Sequence, residues 1–233
     1  MRKAFAPGRP ALDGFSLTVA AGETVALLGP SGCGKTTALK LVNRLLSADA
    51  GEIRVFGRDV AGEDPVLLRR RIGYVIQEGG LLPHWTVEEN VATVPRLLGW
   101  SVERRRQRAR EVLSMVNLSA EEFASRRPRE LSGGQRQRVG VARALAADPG
   151  LVLMDEPFGA LDPIARRALQ KEFLAWKRQL EKAVLLVTHD ISEAFRLADR
   201  VAVLRDGHVV QVGTPREIAE SPADEFVREF ASE

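Results

Sequence analysis

The stretch GPSGCGKT, residues 29–36, decides the fold of this 233-residue chain. It fits the pattern G-x-x-x-x-G-K-[ST] and follows the apolar run of residues 24–28, as expected of a phosphate-binding loop between a strand and a helix. Glycines let such a loop turn its backbone N–H groups toward phosphate oxygens, and the start of the next helix adds partial positive charge. An incidental glycine-rich turn would leave this flanking pattern unexplained. The residues predicted to contact the nucleotide here are Gly29, Pro30, Ser31, Gly32, Cys33, Gly34, Lys35, Thr36 and Thr37.

Three side chains of this loop carry distinct expectations. Lys35 supplies a point charge for the β- and γ-phosphates of a nucleotide, and the Thr36 hydroxyl can bind Mg²⁺. Cys33 has two interpretations: a small residue that fits the loop, or a reactive thiol whose alkylation blocks nucleotide binding. Because it is the single cysteine, an internal disulfide framework is excluded.

A second informative segment is the apolar run of residues 151–154, which ends in Asp155 and Glu156. Its form predicts a strand buried on both faces of a parallel sheet. A carboxylate at the carboxyl end of such a strand lies where ligands bind, so Asp155 can hold Mg²⁺ through water. Glu156 can then polarise an attacking water as general base. The alternative is two solvated acids at a strand end.

The five residues LSGGQ, 131–135, stand between these two segments. Followed by a helix predicted over residues 133–147 with Ser132 as its N-cap, they resemble the signature of the ATP-binding cassette (ABC) ATPases. The likeness runs over nearly the whole chain. In that family the signature faces the γ-phosphate of ATP held by the opposing subunit, so the resemblance implies a head-to-tail homodimer with two ATP molecules sandwiched between the chains. The contacts implied are Ser132, Gly133, Gly134 and Gln135.

Two strand ends resemble further family positions. Gln77, ending a strand predicted over residues 74–77, resembles the Q-loop glutamine that touches the metal or water and reports on the permease. His189, after the buried run of residues 184–188, resembles the switch histidine that contacts the γ-phosphate. Taken alone, such a glutamine is a surface amide and such a histidine is structural. Because the other family motifs occur in the same sequence, the functional interpretation of Gln77 and His189 is favoured.

Two other positions complete the resemblance. Residues 159–162 resemble the D-loop, which implies that Asp162 contacts the nucleotide site across the dimer. Phe5 stands where the family has an aromatic residue that stacks on adenine, although a lone phenylalanine near an N-terminus usually just packs. The family usually has a strand ahead of this aromatic, whereas here four residues precede it.

The chemistry implied is transfer of the γ-phosphoryl group of ATP to water, with ATP and Mg²⁺ as cofactors. Such a transfer needs an in-line nucleophile and neutralised oxygens more than covalent work from the protein. The residues expected to act in catalysis are Lys35, Gln77, Glu156 and His189. Those expected to hold the metal are Thr36, Gln77 and Asp155.

The fold class predicted is α/β: a P-loop NTPase with a RecA-like core, an antiparallel β portion and an inserted helical subdomain. Residues 1–233 form one ABC ATPase domain, with the core at 1–80 and 136–233 and the helical subdomain at 81–135. Short strands are expected at 15–19 and 52–56.

Local signals refine this scheme. Ser101 caps an arginine-rich helix, and residues 201–204 and 209–212 form a hairpin around Asp206 and Gly207. Residues 214–217 form a capping box that opens a C-terminal helix.

Composition agrees with a globular subunit, since 45% of the residues are hydrophobic and 28% are charged. The sequence contains no apolar run of about eighteen residues and no apolar core of a signal peptide. We therefore expect a subunit that does not span a membrane, and the ABC resemblance implies a peripheral location at the cytoplasmic face of the cell membrane. The net charge of +3 and the scattered arginine clusters are weak indications of nucleic-acid binding. No nucleic-acid partner is predicted.

Three longer phrases resemble the importer ATPases for quaternary-amine osmoprotectants such as glycine betaine, choline and carnitine. They are residues 41–46 (LVNRLL), 80–100 (GLLPHWTVEENVATVPRLLGW) and 155–170 (DEPFGALDPIARRALQ). The resemblance implies membrane permease subunits and, indirectly, a substrate-binding protein as partners. Trp85 either anchors the permease or packs within the helical subdomain.

Alternatives remain open. An exporter ATPase, or an importer for another solute such as an amino acid or a sulfonate, fits the general motifs equally well. A non-transport ABC ATPase acting on nucleic acid is less expected, because the chain has neither a long coiled coil between its motifs nor a second cassette. Many osmoprotectant ATPases carry CBS modules after the cassette, and regulation by that route is not predicted for a sequence that ends at residue 233.

Overall fold

The structure, a computed structural model, describes residues 1–6, 10–77, 80–159 and 161–231. The chain forms two compact units. The first unit comprises residues 1–69 and 183–233, and the second comprises residues 70–182. The helical subdomain predicted at residues 81–135 falls within the second unit, and its boundaries stay a prediction.

The strands are short. In chain order they are β1 (Lys3–Ala4), β2 (Pro10–Leu12), β3 (Thr24–Leu28), β4 (Arg54–Val55), β5 (Arg58–Asp59), β6 (Ile72–Val75), β7 (Leu151–Asp155), β8 (Ala183–Thr188), β9 (Arg200–Arg205) and β10 (His208–Gly213).

The helices lie between and after these strands. They are α1 (Lys35–Val42), α2 (Pro65–Arg70), α3 (Val87–Val91), α4 (Thr93–Leu97), α5 (Val102–Met115), α6 (Ala120–Phe123), α7 (Gly133–Leu145), α8 (Pro163–Leu180), α9 (Ile191–Leu197), α10 (Pro215–Glu220) and α11 (Glu225–Ala231). Within the described ranges, no helix combines the length and the apolar character that crossing a bilayer requires.

The first unit is built around β3, whose five residues are all buried. Strands β8 and β9 flank β3 and run parallel to it, while β10 pairs with β9 in the antiparallel direction. Alternate β3 residues, Ala26 and Leu28, pack in one apolar cluster with residues of α9, α10 and α11. Burial on both faces explains why β3 reads as a continuous apolar run.

The second unit joins parallel strands β6 and β7 to α7. The helix lies so close to β6 that a Cβ atom on Gly73 would be 2.6 Å from the carbonyl oxygen of Ala144. An ion pair of 2.9 Å between Arg138 and Glu172 links α7 to α8. The Trp176 indole donates a hydrogen bond of 2.5 Å to the carbonyl of Met115, which ties α8 to the end of α5.

Several local predictions are confirmed. Ser101 caps α5 by accepting a hydrogen bond from the Arg104 amide. Strands β9 and β10 form the predicted hairpin, and Thr214 and Glu217 form a capping box at α10.

Four boundaries differ from prediction. Residues 15–19 form no strand, although the alternation is visible as a buried Phe15 beside an exposed Ser16, and the strand predicted at 52–56 shortens to β4. The strand predicted to end at Gln77 ends at Val75. Helix α7 ends at Leu145 rather than at residue 147.

Candidate functional site

The phosphate loop connects β3 to α1 in the first unit. Gly34 is the N-cap of α1 with a φ of 107°, a left-handed conformation that favours glycine. Its carbonyl accepts a hydrogen bond of 2.9 Å from the Ala38 amide, which begins the helical pattern. Glycine has no side chain that could cap the start of α1.

Close packing makes glycine necessary at both ends of this loop. A Cβ atom on Gly29 would lie 2.9 Å from the Cys33 sulfur and would overlap the carbonyl oxygen of Leu204. A Cβ atom on Gly34 would lie 2.6 Å from a methyl carbon of Leu12. The fold of the first unit itself therefore requires these two glycines.

The Lys35 ammonium is held inside the loop. The side chain is only 6% exposed, and its Nζ atom donates hydrogen bonds of 2.6 Å to the Gly29 carbonyl and 2.9 Å to the Pro30 carbonyl. Buried charge needs such partners. The loop thus carries a positive charge fixed beside the start of α1.

Cys33 is buried, and its sulfur lies 3.8 Å from the Lys35 Nζ atom. Burial raises the pKa of the Cys33 thiol, and this outweighs the nearby lysine charge that acts to lower it. Because the thiolate is the reactive form, the environment favours the interpretation of a small residue that fits the loop.

His189 follows β8 directly and is exposed. The turn around it is fixed, because the Thr188 hydroxyl donates to Glu193 at 2.7 Å and accepts from the Asp190 amide at 3.0 Å. Thr188 is also the register partner of Leu28, the residue before the phosphate loop. His189 and Gly29 therefore follow adjacent parallel strands at the same sheet edge.

The predicted adenine-stacking residue lies near the chain start. Phe5 follows β1 and is 64% exposed, with the Lys3 ammonium 5.8 Å from the centre of its ring. An exposed ring can stack on a base, and this role stays a prediction.

Asp155 ends β7 in the second unit and is 6% exposed. Burial raises the pKa of the Tyr74 phenol to about 12, and the charge of Asp155 and a hydrogen bond to it act in the same direction. The Tyr74 hydroxyl donates this hydrogen bond to the Asp155 carboxyl group and so helps to orient it.

Glu156 has a left-handed backbone, with a φ of 44°. For a residue with a Cβ atom this conformation costs roughly 1–2 kcal/mol. Its carboxylate accepts a hydrogen bond of 3.1 Å from the side-chain amide of Gln77, and the pairing of Val75 with Met154 brings the two strand ends together. An unfavourable backbone angle at a strand end is typical of functional sites.

The signature segment begins α7. Ser132 accepts a hydrogen bond of 3.2 Å from the Gln135 amide, while the Gln135 side chain accepts one of 2.8 Å from the Ser132 amide. This capping box confirms Ser132 as the N-cap. Gly133 and Gly134 form the first turn of the helix.

Asp162, of the predicted D-loop, is the N-cap of α8. Its carboxylate accepts hydrogen bonds of 3.0 and 2.9 Å from the amides of Ile164 and Ala165. Arg166 donates to the carbonyl groups of Phe158 and Leu161 and so holds the preceding turn. Ala160 of the predicted D-loop lies outside the described residues.

The structure thus brings the predicted residues together in two groups. The first unit holds the phosphate loop and His189, and the second holds Gln77 beside Glu156. Sequence reasoning missed the supporting contacts, among them Tyr74 with Asp155 and Thr188 with Glu193. The contact of Thr188 with Glu193 could have been suspected from the sequence, because Asp190 and Glu193 have the spacing of an N-cap and the third residue of a helix.

The chain is similar to several known proteins. The family model described as ABC transporter matches residues 12–159. The choline transport ATP-binding protein OpuBA of Bacillus subtilis is 53% identical over 98% of this chain and 60% of its own length. The osmoprotectant import ATP-binding protein OsmV of Salmonella typhimurium is 54% identical over 97% of this chain and 60% of its own length. The chain therefore spans about 60% of the length of these relatives.

A more distant relative is the trimethylamine N-oxide transport system ATP-binding protein TmoW of Ruegeria pomeroyi, 46% identical over 94% of this chain and 65% of its own length. Among solved structures, the ATP-binding cassette MJ0796 in a dimeric post-hydrolysis state with ADP and Pi matches with a TM-score of 0.81 and 35% identity. It covers 92% of this chain and 96% of its own. These likenesses confirm the predicted P-loop NTPase fold of an ABC ATPase. The chain belongs to the ABC transporter family.

Proposed function

We propose that this chain is the ATP-hydrolysing subunit of an ABC importer for osmoprotectants such as glycine betaine, choline or carnitine. The observation that carries the ATPase half is the phosphate loop, in which Gly29 and Gly34 admit no side chain and Lys35 is held by two loop carbonyls. The solute class rests on the names of the relatives, since an ATPase of this kind does not touch the solute.

Binding of ATP uses the loop amides, the start of α1 and the Lys35 charge, which together neutralise the phosphates. Closure of the site comes from a second copy of the chain, whose Ser132 and Gly134 approach the γ-phosphate. Asp162 and Gln135 lie in the same proposed interface. Neither half of the site is complete alone, so a homodimer is the active form.

Hydrolysis needs an oriented water molecule. Glu156 accepts its proton as general base, with Gln77 and His189 as orienting groups. The hydrogen bond of 3.1 Å between Gln77 and Glu156 supports this assignment, because it holds the carboxylate in a fixed position.

The residues proposed to hold Mg²⁺ supply oxygen donors, which suit this cation. The described residues contain no cluster of three or more His, Cys, Asp or Glu side chains that could hold a metal alone. Mg²⁺ typically binds through one or two protein oxygens together with phosphates and water. The Thr36 hydroxyl, the Gln77 amide oxygen and the Asp155 carboxylate would hold it, and it would neutralise phosphate charge.

The proposed partners are two membrane permease subunits and, through them, a substrate-binding protein. Their presence would hold the ATPase at the cytoplasmic face of the membrane. Dimer closure on ATP and reopening after hydrolysis would drive solute uptake through the permease.

Substitution of the general base tests the hydrolytic proposal. The variant Glu156→Gln keeps the size of the side chain but cannot accept the proton, so ATP should bind while turnover falls by at least about a hundredfold. Gel filtration with ATP should show accumulation of a dimer. Near-normal turnover in this variant would remove Glu156 from its role.

Uptake measurements test the solute class. Cells carrying the intact system should accumulate labelled choline or glycine betaine, and cells carrying Glu156→Gln should not. The likeness to TmoW makes trimethylamine N-oxide the second candidate solute, and the same assay separates it. Absence of uptake of labelled choline, glycine betaine and carnitine, with ATP hydrolysis intact, would overturn the solute assignment alone.

A further inference from the structure

A two-residue turn joins β9 to β10 in the first unit. Asp206 and Gly207 have φ angles of 48° and 82°, and the flanking residues Arg205 and His208 are register partners. Two consecutive positive φ angles are the geometry of a type I′ turn. The turn is therefore tight.

This turn contacts the phosphate loop through its backbone. The Gly207 amide donates a hydrogen bond of 3.2 Å to the Cys33 carbonyl, and the Gly207 carbonyl accepts one of 3.0 Å from the Asp13 amide. A Cβ atom on Gly207 would lie 3.0 Å from the Ala11 carbonyl oxygen and 3.1 Å from the Leu12 Cα atom. Gly207 thus fits tightly between the loop and the end of β2.

Strands β9 and β2 also border the phosphate loop at Gly29 and Gly34. The Leu204 carbonyl of β9 faces Gly29, and the Leu12 side chain of β2 faces Gly34. The hairpin and β2 therefore contact the beginning, the middle and the end of the loop.

The contact with Cys33 has a consequence for the next residue. In a trans peptide the carbonyl and the following N–H point in opposite directions. Because the Cys33 carbonyl points to Gly207, the Gly34 N–H must point away from the hairpin. The proposed function places the phosphate on that side of the loop. Resting on the proposed function, we infer that Gly207 is a positioning residue for the phosphate-binding amide of Gly34.

The chain offers a matched control for this inference. Phe56 and Gly57, between β4 and β5, have φ angles of 52° and 76°, which is nearly the same geometry. A Cβ atom on Gly57 would have no neighbour within 4 Å. Substitution at Gly57 therefore introduces the same backbone strain without any displacement.

The test compares ADP binding by Gly207→Ala and Gly57→Ala in the full chain by isothermal titration calorimetry. The added Cβ atom at residue 207 must move the turn off β2, so the ADP dissociation constant should rise about tenfold, as for loss of one hydrogen bond to a charged group. Gly57→Ala should change the ADP dissociation constant by no more than about twofold. This is a small effect, because a tenfold change corresponds to about 1.4 kcal/mol.

A second pair guards against failure to fold. Asparagine tolerates the left-handed conformation, so Gly207→Asn and Gly57→Asn keep the turn while retaining the added Cβ atom. Nitrogen-15 NMR of the nucleotide-free protein should show the Gly34 amide signal displaced by Gly207→Asn and unmoved by Gly57→Asn.

The outcomes separate this inference from the proposed function. Failure of the unsubstituted protein to bind ADP would sink the proposed function, while the NMR comparison would still decide the role of Gly207. Equal effects of the two asparagine variants on the Gly34 signal, or an unchanged ADP affinity in a folded Gly207 variant, would overturn the inference.

Discussion

The glycines of the phosphate loop and those of the signature segment differ in how closely the chain surrounds them. Gly29 and Gly34 are enclosed by the chain itself, so that a Cβ atom on Gly34 would lie 2.6 Å from Leu12. Cβ atoms on Gly133 and Gly134 would meet their nearest neighbours at 3.9 and 3.7 Å, which is ordinary contact. The fold requires glycine in the first pair and merely permits it in the second.

Glycine is also a poor helix former, and Gly133 and Gly134 lie in the first turn of α7. Their presence there makes sense if something outside the chain must approach the helix start closely. The comparison therefore teaches that packing within the chain requires the loop glycines, whereas the signature glycines fit the proposed approach of a second chain. The following predictions test this difference.

The largest effect is expected from Gly34→Ala. Overlap with Leu12 and the left-handed backbone should together lower the free energy of unfolding by roughly 3 kcal/mol and abolish ADP binding. Denaturant unfolding and calorimetry measure the two effects. Gly32→Ala is the control, since Gly32 has a φ of 80° but no neighbour within 4 Å of its Cβ position. Equal loss of stability in both variants would contradict the packing explanation.

Gly134→Ala should separate stability from activity. Alanine favours the helix, so the free energy of unfolding should stay the same or rise by up to about 1 kcal/mol. ATP turnover by the assembled transporter should nevertheless fall more than about tenfold, because a methyl group would obstruct the opposing nucleotide. Gly62→Ala, at an open position, should change neither quantity. Full turnover by Gly134→Ala would show that nothing approaches this helix start closely.

A moderate local effect is expected from Ser132→Ala. Loss of the cap should destabilise the first turn of α7 by about 1 kcal/mol. Hydrogen exchange of the Gln135 amide, which donates to the Ser132 hydroxyl, should then be about fivefold faster. Ser132→Thr retains the hydroxyl and should leave exchange close to normal. Unchanged exchange in the alanine variant would mean that the capping box is absent in solution.

The smallest effect concerns Tyr74, the only tyrosine of the chain. Its absorbance should titrate with a pKa of about 12 in the folded protein, against about 10 when unfolded. Because the folded pKa is raised, the phenol stabilises the fold below about pH 10 and loses this contribution as the pH rises through 12. Asp155→Asn removes the adjacent charge and should lower the midpoint. An unchanged midpoint would assign the whole shift to burial.

Much of the fold could be predicted because the central strands are buried on both faces. Strands β3, β7 and β8 appear in the sequence as uninterrupted apolar runs. The strand predicted at residues 15–19 was wrong because alternation reports burial rather than pairing. Phe15 is buried, but it exchanges backbone hydrogen bonds with Met1. The pattern of residues 15–19 carries no information about that partner.

The site divides in a similar way. Residues with motif spacing, such as Lys35, Ser132 and Glu156, could be named from the sequence. The contacts that hold them depend on tertiary structure, as when Gly207 meets Cys33 across more than half of the chain. Spacing fixes which atoms are available, and packing decides how they are oriented.

The left-handed backbone of Glu156 has a consequence for the stability of this protein. Glycine at this position would relieve the backbone strain and raise the free energy of unfolding. It would also remove the carboxylate proposed to activate water. The proposed role of Glu156 therefore sets the stability of the fold against turnover at this one position.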